Sequence, residues 1–213
     1  MQINFILLFI FISSILLFAC KKFKLLIDIK GERHKKFSSK EKNYLIGGIL
    51  ILIYLILFYF KQNQILHIFF FVFIFLIGLF SDLKILNDPK KRFILQAIIL
   101  YIFIHFLEIR ILETRFIPLD HLLNNLYFNH VFVVFCLMIL MNGSNFMDGL
   151  NTLLVTYNLF IFLILLTFFN SSVLEPLILE NLILIFLFIL SFNLFWKIIL
   201  GDSGSYLLSI FTG

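Results

Sequence analysis

Asn142-Gly-Ser-Asn-Phe-Met-Asp-Gly-Leu-Asn151 is a polar island between two apolar runs, residues 131–141 and 152–169. Asn142, Asn145 and Asp148 are spaced i, i+3, i+6, which on a helix end puts all three on one side. Gly149 then lets the backbone turn, or lets a ligand come close. Two amides and a carboxylate beside a hydrocarbon-length segment are costly unless they bind something or one another. A capped helix end followed by a polar loop is the alternative, and this stretch alone does not separate the two.

Working outward, the composition sets the class. The 213 residues are 62% hydrophobic and only 14% charged, with 31 phenylalanines and a mean hydropathy of +1.09. A soluble domain of this length needs more polar surface. The expectation is an all-α, polytopic transmembrane helix bundle. The net charge of +5 is not a nucleic-acid signal, because the cations sit in short loops beside apolar runs. Cys20 and Cys136 lie far apart, in or beside apolar segments, and suggest neither a disulfide framework nor a metal cluster.

Apolar runs over 3–20, 44–60, 65–80, 93–107, 131–141, 152–169 and 177–196 read as seven spans, and 206–213 as the start of an eighth. The first run is not a secretory signal: no cation precedes it, and Lys21, Lys22 and Lys24 follow it. Loops after odd-numbered spans share one side of the membrane. Thirteen of the seventeen Lys and Arg fall in the first two of those loops. That bias makes the side cytoplasmic and puts the N-terminus outside. Asp28, Asp82, Asp88, Asp148 and Asp202 fall on the same side. One cytoplasmic site built from four loops is therefore expected. A transporter more often places its polar groups mid-span, at broken helices. The final run is too short for a span, so a single integral membrane domain over 1–213, truncated at its C-terminus, is expected.

Two further stretches carry chemistry. Leu200-Gly-Asp-Ser-Gly-Ser-Tyr206 suits a tight turn beside a phosphate or metal, with Asp202 holding a divalent cation. Gly78-Leu-Phe-Ser-Asp-Leu-Lys84 continues to Pro89-Lys-Lys-Arg-Phe-Ile-Leu-Gln96. It offers Asp82 as another carboxylate and Lys90, Lys91 and Arg92 as phosphate-binding or inside-anchoring cations.

Taken together, these stretches make the chain resemble the polyprenyl-phosphate N-acetylhexosamine-1-phosphate transferases. Their G-x-x-D-D block, basic P-K-K-R-x-x-x-Q run, N-x-x-N-x-x-D-G-x-D-G-L motif and F-x-G-D-x-G-S motif have counterparts here in the same order. An earlier pattern matches Asp28-Ile-Lys-Gly-Glu-Arg-His34 and Ile46-Gly-Gly48. The departures are Ser81 for the first Asp of the pair, Asn151 for a later Asp, and Thr152 for a Gly. Family members also continue for several more spans, with a His-rich cytoplasmic loop.

The resemblance implies transfer of an N-acetylhexosamine-1-phosphate from a UDP-sugar to a polyprenyl phosphate such as undecaprenyl phosphate, with release of UMP. The setting is envelope-polysaccharide synthesis at the inner membrane. Such displacement needs charge neutralisation and alignment more than covalent help. It points to Mg²⁺, with Mn²⁺ as a substitute, held by Asp202 and Asp148. Asp82 and Asp148 are the candidate catalytic carboxylates. Asn142, Asn145, Asn151, Lys91, Arg92, Ser203 and Ser205 are the candidate substrate-binding residues. The partners are the two substrates and the bilayer, with a homodimer open and no nucleic acid expected. An inactive fragment of such a transferase is the first rival reading, and a multi-pass transporter the second.

Overall fold

A backbone surrounded by hydrocarbon must satisfy its own N–H and C=O groups, and a helix does so within one segment. This computed structural model describes residues 2–27, 44–148, 152–168, 176–196 and 198–212, with the side chains of 2–8, 176–179 and 193–196 left aside. Among the described residues there are nine helices, and no strand beyond two isolated bridges, Ile27–Tyr44 and Tyr44–Ile198. They are α1 (Gln2–Phe23), α2 (Gly47–Lys61), α3 (Ile65–Asp82), α4 (Pro89–Leu107), α5 (Ile117–Leu123), α6 (Leu126–Asp148), α7 (Leu153–Phe168), α8 (Pro176–Trp196) and α9 (Gly201–Thr212).

The seven expected runs map onto α1–α4 and α6–α8, with shifted ends. α2 starts at Gly47 because Tyr44 is taken up in the two bridges. α4 starts at Pro89, four residues before the apolar run. The Asp88 side chain accepts the Lys90 N–H at 2.9 Å, and Pro89 has no N–H to leave unpaired there. α6 runs on through the polar island to Asp148. The expected tight turn at Leu200–Tyr206 is instead mostly helix, because Gly201 opens α9. Asp28–His34 and Gly149–Asn151 lie outside the described residues. Two described helices, α3 and α6, are long and apolar enough to cross a membrane; α2, α7 and residues 180–192 of α8 are shorter apolar segments.

Both faces of the long helices are apolar. On α6, Val134, Leu137, Met138 and Met141 are buried, while Val131, Phe135 and Ile139 point outward at helical spacing. On α3, Phe70, Ile74 and Ile77 face inward and Phe69, Phe73 and Phe80 outward. Helices apolar all round suit a lipid-facing bundle. Cys20 is a buried free thiol and Cys136 a half-buried one.

Two apolar cores flank α9. One gathers α1, α2, α7 and α8 around Leu207 and Leu208; the other gathers α3, α4 and α6 around Tyr206. α9 is thus a short central strut packed against α2, α3, α6 and α7. Its approach to α3 is set by Gly78: a Cβ there would stand 2.3 Å from Ser203 Cα and 2.6 Å from Ser203 N. The segment leading into α9 is tied back by Gly47 N–H to Ile199 O at 3.1 Å and Ile199 N–H to Tyr44 O at 3.0 Å.

Gly78→Ala is therefore expected to lower stability by about 1–3 kcal/mol, the usual cost of overpacking. Gly143→Ala, on an open face of α6, is expected to gain about 0.5–1 kcal/mol in helix propensity. Thermal unfolding of the two variants in detergent checks the contrast; equal shifts would mean that α3 and α9 do not touch at Gly78.

Candidate active site

The first N–H groups of a helix have no intrahelical acceptor. In α9 they are met from two other helices. Asp82, the last residue of α3, accepts Asp202 N–H through Oδ1 at 2.9 Å. Its Oδ2 accepts Ser203 N–H at 3.1 Å and Ser203 Oγ–H at 2.9 Å. Asp148, the last residue of α6, accepts Gly201 N–H through Oδ2 at 2.9 Å. Two carboxylates thus sit at the positive end of the α9 dipole, where negative charge is favoured. Gly201 has φ +73°, and a Cβ on it would stand 2.7 Å from Asp82 Oδ2, so both the backbone conformation and the space call for glycine.

The third carboxylate belongs to α9 itself. Asp202 Oδ2 accepts Ser81 Oγ–H at 2.5 Å and pairs with Arg92 Nη1 at 3.1 Å. The same Arg92 Nη1 donates to Ser81 Oγ. The Arg92 and Asp202 side chains are 26% and 14% exposed, so the pair is shielded but reachable from solvent. Residues from α3, α4, α6 and α9 therefore meet at one end of the bundle.

The sequence candidates divide into three groups. Asp82, Asp148, Asp202 and Arg92 come together. Ser203 belongs to the same cluster, but its hydroxyl is given to Asp82, and buried Ser205 donates to Asp202 O at 3.0 Å. These two hydroxyls shape the α9 turn. Asn142, half-buried, donates through Nδ2 to Met138 O at 2.7 Å, and Asn145 is half-buried one turn before Asp148. Lys91 is exposed beside Arg92 at the start of α4. Asn151 lies outside the described residues. Ser81 was not among the candidates, yet it touches both Asp202 and Arg92. Only its place next to Asp82 in the sequence hinted at it.

The opposite end of α4 and α6 is built differently. Asn129 is buried and spans the loop, donating to Ile111 O at 2.8 Å and Leu123 O at 3.0 Å, while its Oδ1 accepts Ile111 N–H at 3.0 Å. Asp120 accepts from the Thr114 hydroxyl at 2.6 Å and the Thr114 N–H at 2.7 Å, which holds its carboxyl below the usual range. A cavity of about 190 Å³ lies there, lined by Arg110, Glu113, Asp120 and Asn124 among others. His67 stacks on Tyr59 with ring centroids 5.0 Å apart.

Two described helices of membrane-crossing length and composition, with carboxylates and a guanidinium gathered at one helix end, are consistent with a membrane-associated protein. The particular assignment comes from its sequence: the chain belongs to glycosyl transferase family 4, whose model matches residues 64–213. Every residue of the cluster falls inside that match. No curated protein and no solved structure matches the chain. Membership makes this a transferase domain, with a sugar donor and a lipid-linked acceptor as its general partners.

Asp82→Asn leaves one carbonyl oxygen where two carboxylate oxygens accept three bonds. The α9 start is expected to loosen by about 1–2 kcal/mol. Amide hydrogen exchange over residues 201–204 should rise roughly tenfold; unchanged protection there would show that Asp82 does not hold the helix end.

Proposed function

We propose that this chain transfers an N-acetylhexosamine-1-phosphate from a UDP-sugar to a polyprenyl phosphate at the cytoplasmic face of the inner membrane, releasing UMP. The observation that carries the proposal is the meeting of Asp82, Asp148, Asp202 and Arg92 at the start of α9. These groups lie at the helix ends that the distribution of Lys and Arg puts on the cytoplasmic side. α1–α4 and α6–α8 are the proposed seven spans, so a lipid-borne acceptor and a soluble donor reach this boundary from different phases.

In the reaction, an oxygen of the polyprenyl phosphate attacks the β-phosphorus of the UDP-sugar. A new P–O bond forms, and the bond from the β-phosphorus to the bridging oxygen breaks, with UMP leaving. A phosphate monoester has a second pKa of about 6, so the nucleophile is largely ionised at neutral pH. No side chain has to remove its proton. Asp82, with both oxygens on α9, acts by fixing that helix against α3.

Mg²⁺ or Mn²⁺ fits the chemistry of the donor set, because Asp202 and Asp148 are hard carboxylate ligands. Among the described residues no group of three or more His, Cys, Asp or Glu side chains is placed to hold a metal, so substrate phosphate oxygens would complete the shell. When bound, the ion neutralises charge on the pyrophosphate. Arg92, paired with Asp202 at the start of α4, suits a phosphate clamp, and exposed Lys91 beside it in sequence is the second cation proposed for that role. Asn145 and Asn142 lie one and two turns back from Asp148 along α6, where they would orient the nucleotide and Asp148. Asn151 stays with them as a nucleotide-binding candidate. In this reading the chain carries the acidic centre; an inactive protein is the outcome the assay must exclude.

Membranes or proteoliposomes supplied with radiolabelled UDP-N-acetylhexosamine and polyprenyl phosphate are expected to yield label in the butanol-extractable lipid. Asp202→Asn should cut the rate by about 10²–10³-fold, the usual scale for a lost electrostatic group. No lipid-linked label from any UDP-N-acetylhexosamine would sink the proposal. The topology is checked separately in a background without Cys20 and Cys136. Lys91→Cys should react with an impermeant maleimide only from the cytoplasmic side, and Asn124→Cys only from the other.

A further inference from the structure

Arg92 does more than wait for a phosphate. Its Nη1 is 3.1 Å from Asp202 Oδ2 and also donates to Ser81 Oγ. The Ser81 hydroxyl in turn donates to the same Asp202 oxygen at 2.5 Å. One carboxylate oxygen, one hydroxyl and one guanidinium nitrogen thus form a closed triangle. The carboxylate assigned to the metal already has a cation of the chain on it.

Asp88 anchors the cation at the right height. It caps α4 at the Lys90 N–H, which sets the first turn of the helix and with it the position of Arg92. The backbone adds a second tie, Arg92 N–H to Asp88 O at 3.1 Å. On the other side, Asp82 fixes α9 and therefore Asp202. Both members of the ion pair are held by their own helices, so the contact is built into the packing of α4 against α3 and α3 against α9.

We infer that Arg92 is a built-in competitor for the divalent cation: it occupies Asp202 in the resting protein and is displaced when metal and diphosphate arrive together. Arg92 is then a positioning residue that sets the cation affinity of Asp202, and Ser81 is the hydroxyl that holds it there. The physical reason is that a carboxylate oxygen pointed at a guanidinium must give up that attraction before it turns to a metal. A diphosphate offers Arg92 a replacement anion, so donor and metal bind with positive coupling. Metal alone binds weakly.

This inference rests on the metal assignment made under Proposed function, and its test separates the two. Mn²⁺ binding to the full chain in nanodiscs is followed by electron paramagnetic resonance, without substrate and with UDP. In the wild type, binding should be weak alone and tighten severalfold with UDP. Arg92→Gln should tighten Mn²⁺ alone by roughly tenfold, within the usual range of site-to-site coupling, and should lose most of the UDP effect. Ser81→Ala, a smaller change that spares the fold, should shift the same way by less. Asp202→Asn should abolish specific binding in every background. If the wild type binds Mn²⁺ at Asp202 but Arg92→Gln and Ser81→Ala leave the affinity unchanged or weaker, the competition is overturned and the metal assignment stands. If none of the three binds Mn²⁺ with or without UDP, the metal assignment fails, and the competition with it.

Discussion

The start of α9 is the constraint on which the rest of the structure depends. A helix end packed among other helices presents buried N–H groups, and leaving them unpaired would cost more than a typical hydrogen bond gains. The chain solves this with carboxylates from elsewhere: Asp82 takes Asp202 N–H and Ser203 N–H, and Asp148 takes Gly201 N–H. Those bonds fix where α3 and α6 end relative to α9. The glycine contact at Gly78 and the left-handed Gly201 then follow from how closely the three backbones approach.

This arrangement concentrates negative charge at one place, and the same place holds the Arg92–Asp202 ion pair. Like charges packed together repel unless dipoles and cations offset them. Here the N–H groups at the start of α9 lie against Asp82 and Asp148, and Arg92 lies against Asp202, which lessens that repulsion. The folding problem and the chemical problem share one solution. A centre able to hold three carboxylates without substrate is also suited to a highly charged diphosphate, provided a cation comes with it. The roles of the three aspartates differ accordingly: Asp82 is committed to the backbone through both oxygens, whereas Asp202 makes side-chain contacts that a ligand can replace.

Much of the fold was legible in the amino-acid sequence, because helix formation and lipid-facing character depend on near neighbours. The apolar runs anticipated seven helices, six of them to within four residues at each end, while α6 starts five residues before its run and ends seven after it. Where the ends moved, a local rule explains the shift: the Asp88–Pro89 pair starts α4 ahead of its apolar run. The turn expected at Leu200–Tyr206 went wrong for a non-local reason. Glycine and serine favour a turn in isolation, but here distant carboxylates accept the free N–H groups and helix becomes the better state. α9 is also too short to have been read as a complete span, and its role as the strut between two cores has no counterpart in hydropathy.

For the site, the sequence by itself determined the residue types: three aspartates, two amides spaced along α6, and a basic start to α4, which the charge bias led us to expect on one side of a membrane. The tertiary structure alone decided who touches whom. Asp202 meets Asp82 and Ser81 across 120 and 121 residues, a separation at which spacing carries no information about contact. It placed Ser203 and Ser205, candidate substrate-binding groups by sequence, as donors to the chain itself: Ser203 to the Asp82 carboxylate and Ser205 to the Asp202 backbone carbonyl. It also gave Ser81, read from the sequence as a lost aspartate, a hydrogen bond of its own. The physical reason is that a hydrogen bond is satisfied by whichever donor the packing brings near, and packing is settled by the whole bundle rather than by any one segment.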